Sequence, residues 1–225
     1  MKVKVCGMTD IGQMHQLGEM GVEFAGLIFY PKSPRYVFKH GLTGVDVKKA
    51  KLKVYKVGVF VDASYDEIMK QVKDFGLDMV QLHGHETPYE CSKVSDYVHV
   101  IKAFRFMEND HVSWMIKDYY DNADMFLFDT GVTAGKDEQK DKTVYGGTGR
   151  KFDWNRLKGL DIRKPFFLSG GIEPSDAGLV KAFLKEPVSK DLFVVDVNSR
   201  FETSPGVKDM EKVKEFITEI HSNHE

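Results

Sequence analysis

The chain has 225 residues, of which 42% are hydrophobic and 29% are charged, a composition that is ordinary for a globular protein. Its 32 basic and 34 acidic side chains give a formal net charge of −2, so the overall charge gives no reason to expect nucleic acid or an anionic membrane surface as a partner. No apolar run approaches the roughly 18 residues that a membrane-spanning helix needs. The first residues also lack the apolar stretch of a signal peptide, and we therefore expect a cytoplasmic protein.

Short apolar runs rich in β-branched residues recur along the whole chain and predict parallel strands that are buried on both faces. Eight such runs predict strands at Lys2–Gly7, Phe24–Phe29, Tyr55–Val61, Met79–His83, Val98–Phe104, Met125–Thr130, Phe166–Gly171 and Phe193–Ser199.

The segments between these strands carry apolar residues at helical spacing. Asp10 and Ser64 stand directly before two of them, where their side chains can cap the first turn. The predicted helices are Asp10–Met20, a weaker one within Val45–Leu52, Tyr65–Phe75, Thr87–Tyr97, His111–Tyr120, Trp154–Lys158, Ser175–Lys185 and Val207–His221.

The regular alternation of strand and helix predicts a parallel sheet with crossover connections. Eight units in a chain of this length favour closure into a (β/α)8 barrel over an open sheet. We find no linker or break in composition, so we predict one catalytic domain over residues 1–225. The long polar segment Gly131–Gly149 is typical of a lid over a site or of a tolerated surface insertion.

Active sites of such barrels lie at the carboxyl ends of the strands. The polar candidates at those ends are Cys6, His83, Arg105, Asp129, Ser169 and Ser199. A thiol in this position can serve as a base or nucleophile, or can pack as an inert small side chain. Asp129 can be an acid, a base, a metal ligand or a loop cap. We interpret His83 as a structural histidine.

Two glycine-rich turns indicate an anion site late in the chain. Gly146-Gly147-Thr148-Gly149 precedes one predicted helix, and Ser169-Gly170-Gly171 ends the seventh strand. Glycines let backbone N–H groups approach a phosphate closely, and phosphate sites of barrels commonly use the last strands. Arg35 follows the second strand and could clamp a carboxylate, or could be an ordinary surface arginine. We find no metal-binding or dinucleotide motif, so we expect no cofactor and no metal.

The chain resembles the phosphoribosylanthranilate isomerase family over nearly its whole length. Nine segments carry the resemblance, each at a predicted strand end or adjoining turn: Val3–Thr9, Gly26–Phe29 with Ser33-Pro34-Arg35, Val57–Val61, Val80–Gly84, Phe128-Asp129-Thr130, Gly146–Gly149 with Phe152-Asp153-Trp154, Leu168–Ile172, Asp196–Ser199 and Gly206–Asp209.

The resemblance implies an Amadori rearrangement in tryptophan biosynthesis. It assigns Asp129 as the general acid that opens the furanose ring and Cys6 as the general base that removes the C2′ proton. A thiolate base requires neighbours that lower the pKa of Cys6. Arg35 is expected to bind the anthranilate carboxylate, and the phosphate is expected at Gly147, Gly149, Gly170, Gly171, Asp196, Asn198 and Ser199. The implied partners are a phosphorylated small molecule and other enzymes of the pathway.

Two features depart from the family pattern. Asn198 and Arg200 stand where the family usually has Ser and Gly, so a left-handed backbone at Arg200 would be strained. Arg200 could instead supply a cation for the phosphate. The second departure is the segment after the sixth strand, which is longer than usual in the family.

Other phosphate-binding barrels are the main alternatives. An indoleglycerol-phosphate synthase would carry catalytic lysines and a glutamate at its strand ends, and a sugar-phosphate epimerase would need metal ligands at several of them. A barrel that binds phosphoribosyl compounds without catalysis could keep the glycines, but it would have no need for Cys6 and Asp129 together. Activity on the related aminoaldose of histidine biosynthesis also stays open.

Overall fold

The computed structural model describes residues 1–107, 110–130 and 153–222. Eight parallel strands close into a barrel in the order β1 to β8, as the sequence predicts. Their bounds are Lys2–Val5, Phe24–Ile28, Tyr55–Phe60, Met79–Leu82, His99–Phe106, Met125–Thr130, Phe166–Leu168 and Leu192–Val197. The ring closes where Lys4 of β1 lies in register with Asp196 of β8.

Most strands end one or two residues earlier than predicted, and β7 ends three residues earlier, at Leu168. The reason lies in the two glycines that follow. Gly170 and Gly171 have φ angles of +100° and +68°, a conformation that glycine adopts easily and that cannot continue a strand. The end of β7 is therefore a glycine turn at the upper rim of the barrel.

The helices flank the barrel in the predicted positions. They are α1 Ile11–Glu19, α2 Gly44–Lys49, α3 Tyr65–Phe75, α4 Pro88–Ser95, α5 Val112–Ile116, α6 Ala177–Phe183 and α7 Met210–His221. Asp10 and Ser64 cap α1 and α3, each accepting a hydrogen bond from a backbone N–H of the first turn. Trp154–Leu157 forms a 3-10 turn. Within the described ranges no helix has the length and apolarity to cross a membrane.

The predicted helix at Val207–His221 is wrong at its start. Val207–Lys208 forms a short strand, β10, which pairs antiparallel with β9 at Glu202–Ser204. Asp209 then caps α7 by accepting a hydrogen bond from the backbone N–H of Lys212. This hairpin (residues 202–208) brings Glu202 and Lys208 against the top of the barrel, where they contact Arg35 and Asn198.

The barrel interior is layered. Because side chains alternate between the two faces of a strand, every second residue points inward. The bottom of the interior is apolar and is filled by Phe24, Val57, Ile101, Ala103, Met125, Leu127, Phe167 and Val194. Above it lies a polar layer in which Lys4, Gln81 and Asp196 are buried. The next inward-facing positions up the strands form the rim.

A second buried ion pair supports the loop after β4. The Lys102 ammonium lies 2.6 Å from the Glu86 carboxylate, with both side chains under 5% exposed. Lys102 also donates to the backbone carbonyl of Gly84, while Glu86 accepts from the backbone N–H groups of Gly84 and Asp62. The pair thus ties the turn that follows His83 to the outside of β5.

Replacing Glu86 by glutamine is expected to destabilise the protein by roughly 3–5 kcal/mol, because it leaves the buried Lys102 charge without its partner. Urea denaturation followed by circular dichroism measures the change. The matched control is Asp74→Asn at the exposed Lys70–Asp74 pair, whose side chains are 66% and 44% exposed. The control should leave the midpoint nearly unchanged; equal midpoints for both variants would contradict this account.

Candidate active site

Three of the polar side chains predicted at the strand ends meet at the upper rim. Cys6 follows β1, His83 follows β4, and Asp129 is the next-to-last residue of β6. Their side chains point to the same opening because they continue the inward-facing rows that begin with Lys4, Gln81 and Leu127. The structure therefore brings a thiol, an imidazole and a carboxylate to one end of the barrel.

The Cys6 thiol is buried against the first two strands, and the residue is 5% exposed. A Cβ atom at Gly26 would lie 2.8 Å from the Cys6 sulfur, so the glycine makes room for the thiol. Burial raises the pKa of Cys6, although the positive charges of Lys4 and Lys208 oppose the rise. The expectation of a lowered thiol pKa is therefore wrong for the free protein, because desolvation of the thiolate outweighs its cationic neighbours.

Lys4 is the cation closest to this thiol. Its Nζ lies 2.8 Å from Asp196 Oδ2, and the two side chains are 0% and 6% exposed. Burial alone would lower the pKa of Lys4, but the attraction of Asp196 and Cys6 raises it, so Lys4 is an ammonium at neutral pH. Asp196 and Cys6 thus share one buried positive charge. Asp196 itself lies one layer below the rim, lower than the position expected for a phosphate contact.

Asp129 faces His83 across the opening. His83 Nε2 lies 3.4 Å from Asp129 Oδ2, and the two side chains are 10% and 13% exposed. On the other edge of the ring, His83 Nδ1 lies 2.9 Å from Gln81 Nε2, and Gln81 Oε1 accepts a hydrogen bond of 2.9 Å from Lys4 Nζ. His83, which we interpreted from the sequence as structural, is therefore a neighbour of the candidate acid.

Arg35 lies above the end of β1, where its Cδ atom would be 2.5 Å from a Cβ at Gly7. Glu202 of the hairpin holds it through two nitrogens, with Nε at 2.8 Å from Oε1 and Nη2 at 2.6 Å from Oε2. Glu202 also pairs with Lys208, whose Nζ is 2.7 Å away. Two cations surround one carboxylate, so this side of the rim carries a surplus of positive charge.

Lys208 also orients Asn198, at the end of β8. Its Nζ lies 2.9 Å from Asn198 Oδ1. Since an ammonium can only donate, the oxygen of the amide must face Lys208 and the NH₂ group must point elsewhere. Asn198 and Ser199 lie half-buried directly after the strand, beside the end of β7 with its Gly170-Gly171 turn.

Arg200 shows no backbone strain. It lies in the 3-10 turn Ser199–Phe201, and the non-glycine residues with positive φ among the described ranges are Lys51, Asp62 and Arg163. Two other predicted positions, Gly147 and Gly149, lie outside the described residues, as does the long segment at 131–149.

Sequence reasoning missed four polar residues around the site: Lys4, Gln81, Glu202 and Lys208. Their common signal is a polar side chain at an inward-facing position of a strand or at a turn beside the rim. Pro205-Gly206 is a turn dipeptide that could have indicated the hairpin. Within the part of the chain that the structure describes, no three His, Cys, Asp or Glu side chains are grouped as a metal site.

The family to which the chain belongs follows from a comparison with family models. The model of N-(5'-phosphoribosyl)anthranilate isomerase matches residues 3–219. This range includes residues of all eight strands and the rim residues that follow them. The chain belongs to the N-(5'-phosphoribosyl)anthranilate isomerase family. The prediction made from the nine sequence segments is confirmed.

The chain is also similar to individual isomerases of the family in sequence and in structure. The chain is 34% identical to those of Parabacteroides distasonis and Phocaeicola vulgatus over 98% of its length, covering 93% and 98% of those proteins. The isomerase structure from Thermotoga maritima matches with a TM-score of 0.79 at 30% identity, covering 97% of this chain and 98% of that one.

One further solved isomerase holds a ligand related to the reaction. It was crystallised with reduced 1-(o-carboxyphenylamino)-1-deoxyribulose 5-phosphate and matches with a TM-score of 0.75 at 28% identity, covering 97% of both chains. The ligand named there has one carboxylate and one phosphate, so a protein of this fold accommodates two anionic groups.

Proposed function

We propose that the chain isomerises N-(5'-phosphoribosyl)anthranilate to 1-(2-carboxyphenylamino)-1-deoxyribulose 5-phosphate, with Asp129 as general acid and Cys6 as general base. Family membership makes the chain an isomerase of tryptophan biosynthesis. The observation that supports the residue assignment is the position of Cys6 and Asp129 on strands of opposite halves of one rim. An acid and a base that flank one substrate are what the rearrangement requires.

The first step opens the sugar ring. Asp129 donates its proton to the furanose oxygen, the bond from C1′ to that oxygen breaks, and the nitrogen lone pair forms the C=N bond of a Schiff base. The Asp129 carboxylate that remains lies 3.4 Å from His83 Nε2. A proton on Nε2 would stabilise the negative charge as it develops, once substrate binding shortens this distance.

The second step moves a proton from carbon. Cys6 removes the C2′ proton, and the electrons of that C–H bond form the C=C bond of an enolamine while the C=N electrons return to nitrogen. Tautomerisation of the enolamine then gives the ketone. Atoms and electrons are rearranged within one molecule, so the reaction needs no external oxidant or reductant.

The two anionic ends of the substrate are assigned to opposite parts of the rim. Arg35 binds the anthranilate carboxylate, with Glu202 fixing the plane of the guanidinium. The phosphate binds at Gly170, Gly171, Asn198 and Ser199, where backbone N–H groups and the NH₂ group of Asn198 can donate. Gly147 and Gly149 are proposed to complete this site, and a substrate contact of Asp196 stays a prediction.

Replacing Arg35 by lysine is expected to raise KM about 10- to 100-fold while kcat changes less than about threefold. Lysine keeps the charge but lacks the planar guanidinium group, which can bind the Glu202 carboxylate and the substrate carboxylate at the same time. A hydrogen bond to a charged group contributes about 1.5–3 kcal/mol. Steady-state kinetics measures both constants. The matched control is Lys32→Arg, at an exposed position on the same loop; an unchanged KM for Arg35→Lys would contradict the carboxylate assignment.

We further propose that residues 1–225 act as one domain, and that the chain works in the cytoplasm alongside other enzymes of the pathway. Complementation tests the proposed function in cells. Expression of the chain in a bacterial strain without this isomerase should restore growth in medium that lacks tryptophan. The Asp129→Asn chain should fail at equal expression level. Failure of the unaltered, folded chain would contradict the proposed function.

A further inference from the structure

Three buried polar side chains cross the barrel interior from β1 to the rim at β4. Lys4, Gln81 and His83 are 0%, 1% and 8% exposed. Polar groups in such a position are costly unless they bond to one another, and here they form a continuous series. The series ends at Asp129, whose role as general acid is part of the proposed function.

We propose that Lys4 and Gln81 are positioning residues that hold the His83 ring with an unprotonated Nδ1 and its proton on Nε2, the nitrogen that faces Asp129. This inference deepens the proposed function and rests on the role of Asp129 given there. His83 is assigned as the direct neighbour that orients the acid, and Lys4 and Gln81 act through it.

The direction of the series is set at Lys4. An ammonium has three donors and no acceptor, so the Gln81 atom that lies 2.9 Å from Lys4 Nζ has to be the amide oxygen. Asp196 binds the same ammonium at 2.8 Å and keeps it in place. The hydrogen bonds thus fix which end of the Gln81 amide is oxygen and which is nitrogen.

The amide then sets the tautomer of His83. With its oxygen turned to Lys4, Gln81 presents its NH₂ group to His83 Nδ1 at 2.9 Å. Nδ1 must therefore accept, which requires an unprotonated ring nitrogen, and the single proton of the neutral ring is on Nε2. A proton on Nδ1 would bring two N–H groups face to face, because Gln81 already presents its NH₂ group there.

Nε2 is buried and makes no hydrogen bond in the described part of the chain, yet it lies 3.4 Å from Asp129 Oδ2. Hydrogen bonds of free enzymes often shorten only when the substrate is bound. An N–H group at Nε2 faces Oδ2, so the proton that Asp129 gives up as general acid is assigned to Oδ1. The N–H group also stabilises the carboxylate that remains after proton transfer.

Lys4 links this series to the base. The same ammonium makes contact with the Cys6 thiol and opposes the rise that burial causes in its pKa. One buried cation therefore acts on Cys6 directly and on Asp129 through Gln81 and His83. No proton passes along the series, because the Gln81 amide donates and accepts without changing its own protonation.

Nitrogen NMR of histidine side chains in the full-length protein tests the proposal. His83→Gln identifies the His83 signals among those of the eight histidines. At neutral pH we expect an unprotonated Nδ1 and a protonated Nε2 in the unaltered protein. Gln81→Glu replaces the NH₂ donor by an acceptor of the same shape, so we expect the proton to move to Nδ1.

Kinetics of the same variants gives the functional consequence. Gln81→Glu should lower kcat about 10²-fold, with KM within about threefold, because it removes the donor from Asp129 without moving the substrate anchors. His83→Gln keeps an N–H near the place of Nε2 and should retain more activity than His83→Leu. Circular dichroism establishes that each variant is folded, and the measurement on the unaltered protein needs no variant to fold.

A protonated Nδ1 in the unaltered protein would overturn the proposal, and so would a Gln81→Glu protein with the proton moved but kcat unchanged. Equal activity of His83→Gln and His83→Leu would overturn the donor role of His83. Failure of the proposed function is recognised separately, because the unaltered protein would then not turn over phosphoribosylanthranilate, or Asp129→Asn would keep its activity, while the His83 tautomer stayed as predicted.

Discussion

Replacing Asp129 by asparagine is expected to lower kcat/KM by about 10²- to 10⁴-fold, the range that general acids contribute. The amide keeps the size of the side chain and its place at the end of β6, but it cannot supply the proton that the ring oxygen needs. Asparagine has the same shape as aspartate, so the variant should fold normally although this side chain is only 13% exposed.

The matched control is Asp121→Asn, at an exposed position before the same strand, which should keep full activity. Binding of a reduced product analogue should be nearly unchanged in Asp129→Asn, because the assigned anchors of the carboxylate and phosphate are untouched. An Asp129→Asn protein with kcat/KM within about threefold of the unaltered protein would mean that another group is the acid.

Replacing Cys6 by serine is expected to have an effect of similar size, about 10²- to 10⁴-fold on kcat/KM. Serine has nearly the same shape but is a far weaker acid, so almost none of it is ionised at any pH at which the protein is folded. The same buried environment that raises the thiol pKa disfavours the alkoxide further.

The pH dependence provides a second test of Cys6. Catalysis needs the ionised base, and burial raises the thiol pKa against the attraction of Lys4 and Lys208. The limb of kcat/KM that depends on Cys6 should therefore rise with pH and reach its midpoint above the ordinary thiol value of about 8.5.

Cys6→Asp provides the comparison for that profile. The unperturbed pKa of an aspartate carboxyl group is about 3.9, far below that of a thiol. Burial raises the pKa of either group, but the carboxyl group starts from the lower value. The rising limb should move down by at least about 2 pH units. A profile identical to that of the unaltered protein would show that the limb belongs to another group.

The elements of the fold could be predicted from sequence because local patterns determine them. The capping residues Asp10 and Ser64 determine where their helices begin, and the apolar runs place all eight strands. The predicted end of β7 is too late because Ser169, Gly170 and Gly171 are small residues without a polar break before them. The positive φ angles of the two glycines cannot be read from the pattern of apolar residues.

The rim candidates could be predicted because barrels present chemistry at strand ends, and the family resemblance assigned roles to them. The contacts that surround these candidates could not be predicted, because they join residues that are distant in sequence. Lys4 and Asp196 are 192 residues apart, and Arg35 and Glu202 are 167 apart. The raised pKa of the Cys6 thiol follows from its burial, which cannot be read from a sequence motif. Glu202 was missed because the second strand of its hairpin, Val207–Lys208, falls within the predicted helix Val207–His221.

The central claim, that Cys6 and Asp129 together isomerise phosphoribosylanthranilate, is tested most directly by fluorescence. Freshly generated substrate is added to the purified protein and to a Cys6→Ser, Asp129→Asn double variant, and the loss of anthranilate-type fluorescence is followed. We predict loss at a rate proportional to the concentration of the unaltered protein, a product of unchanged mass, and almost no acceleration by the double variant. No acceleration by the unaltered protein, or equal acceleration by both proteins, would contradict the account.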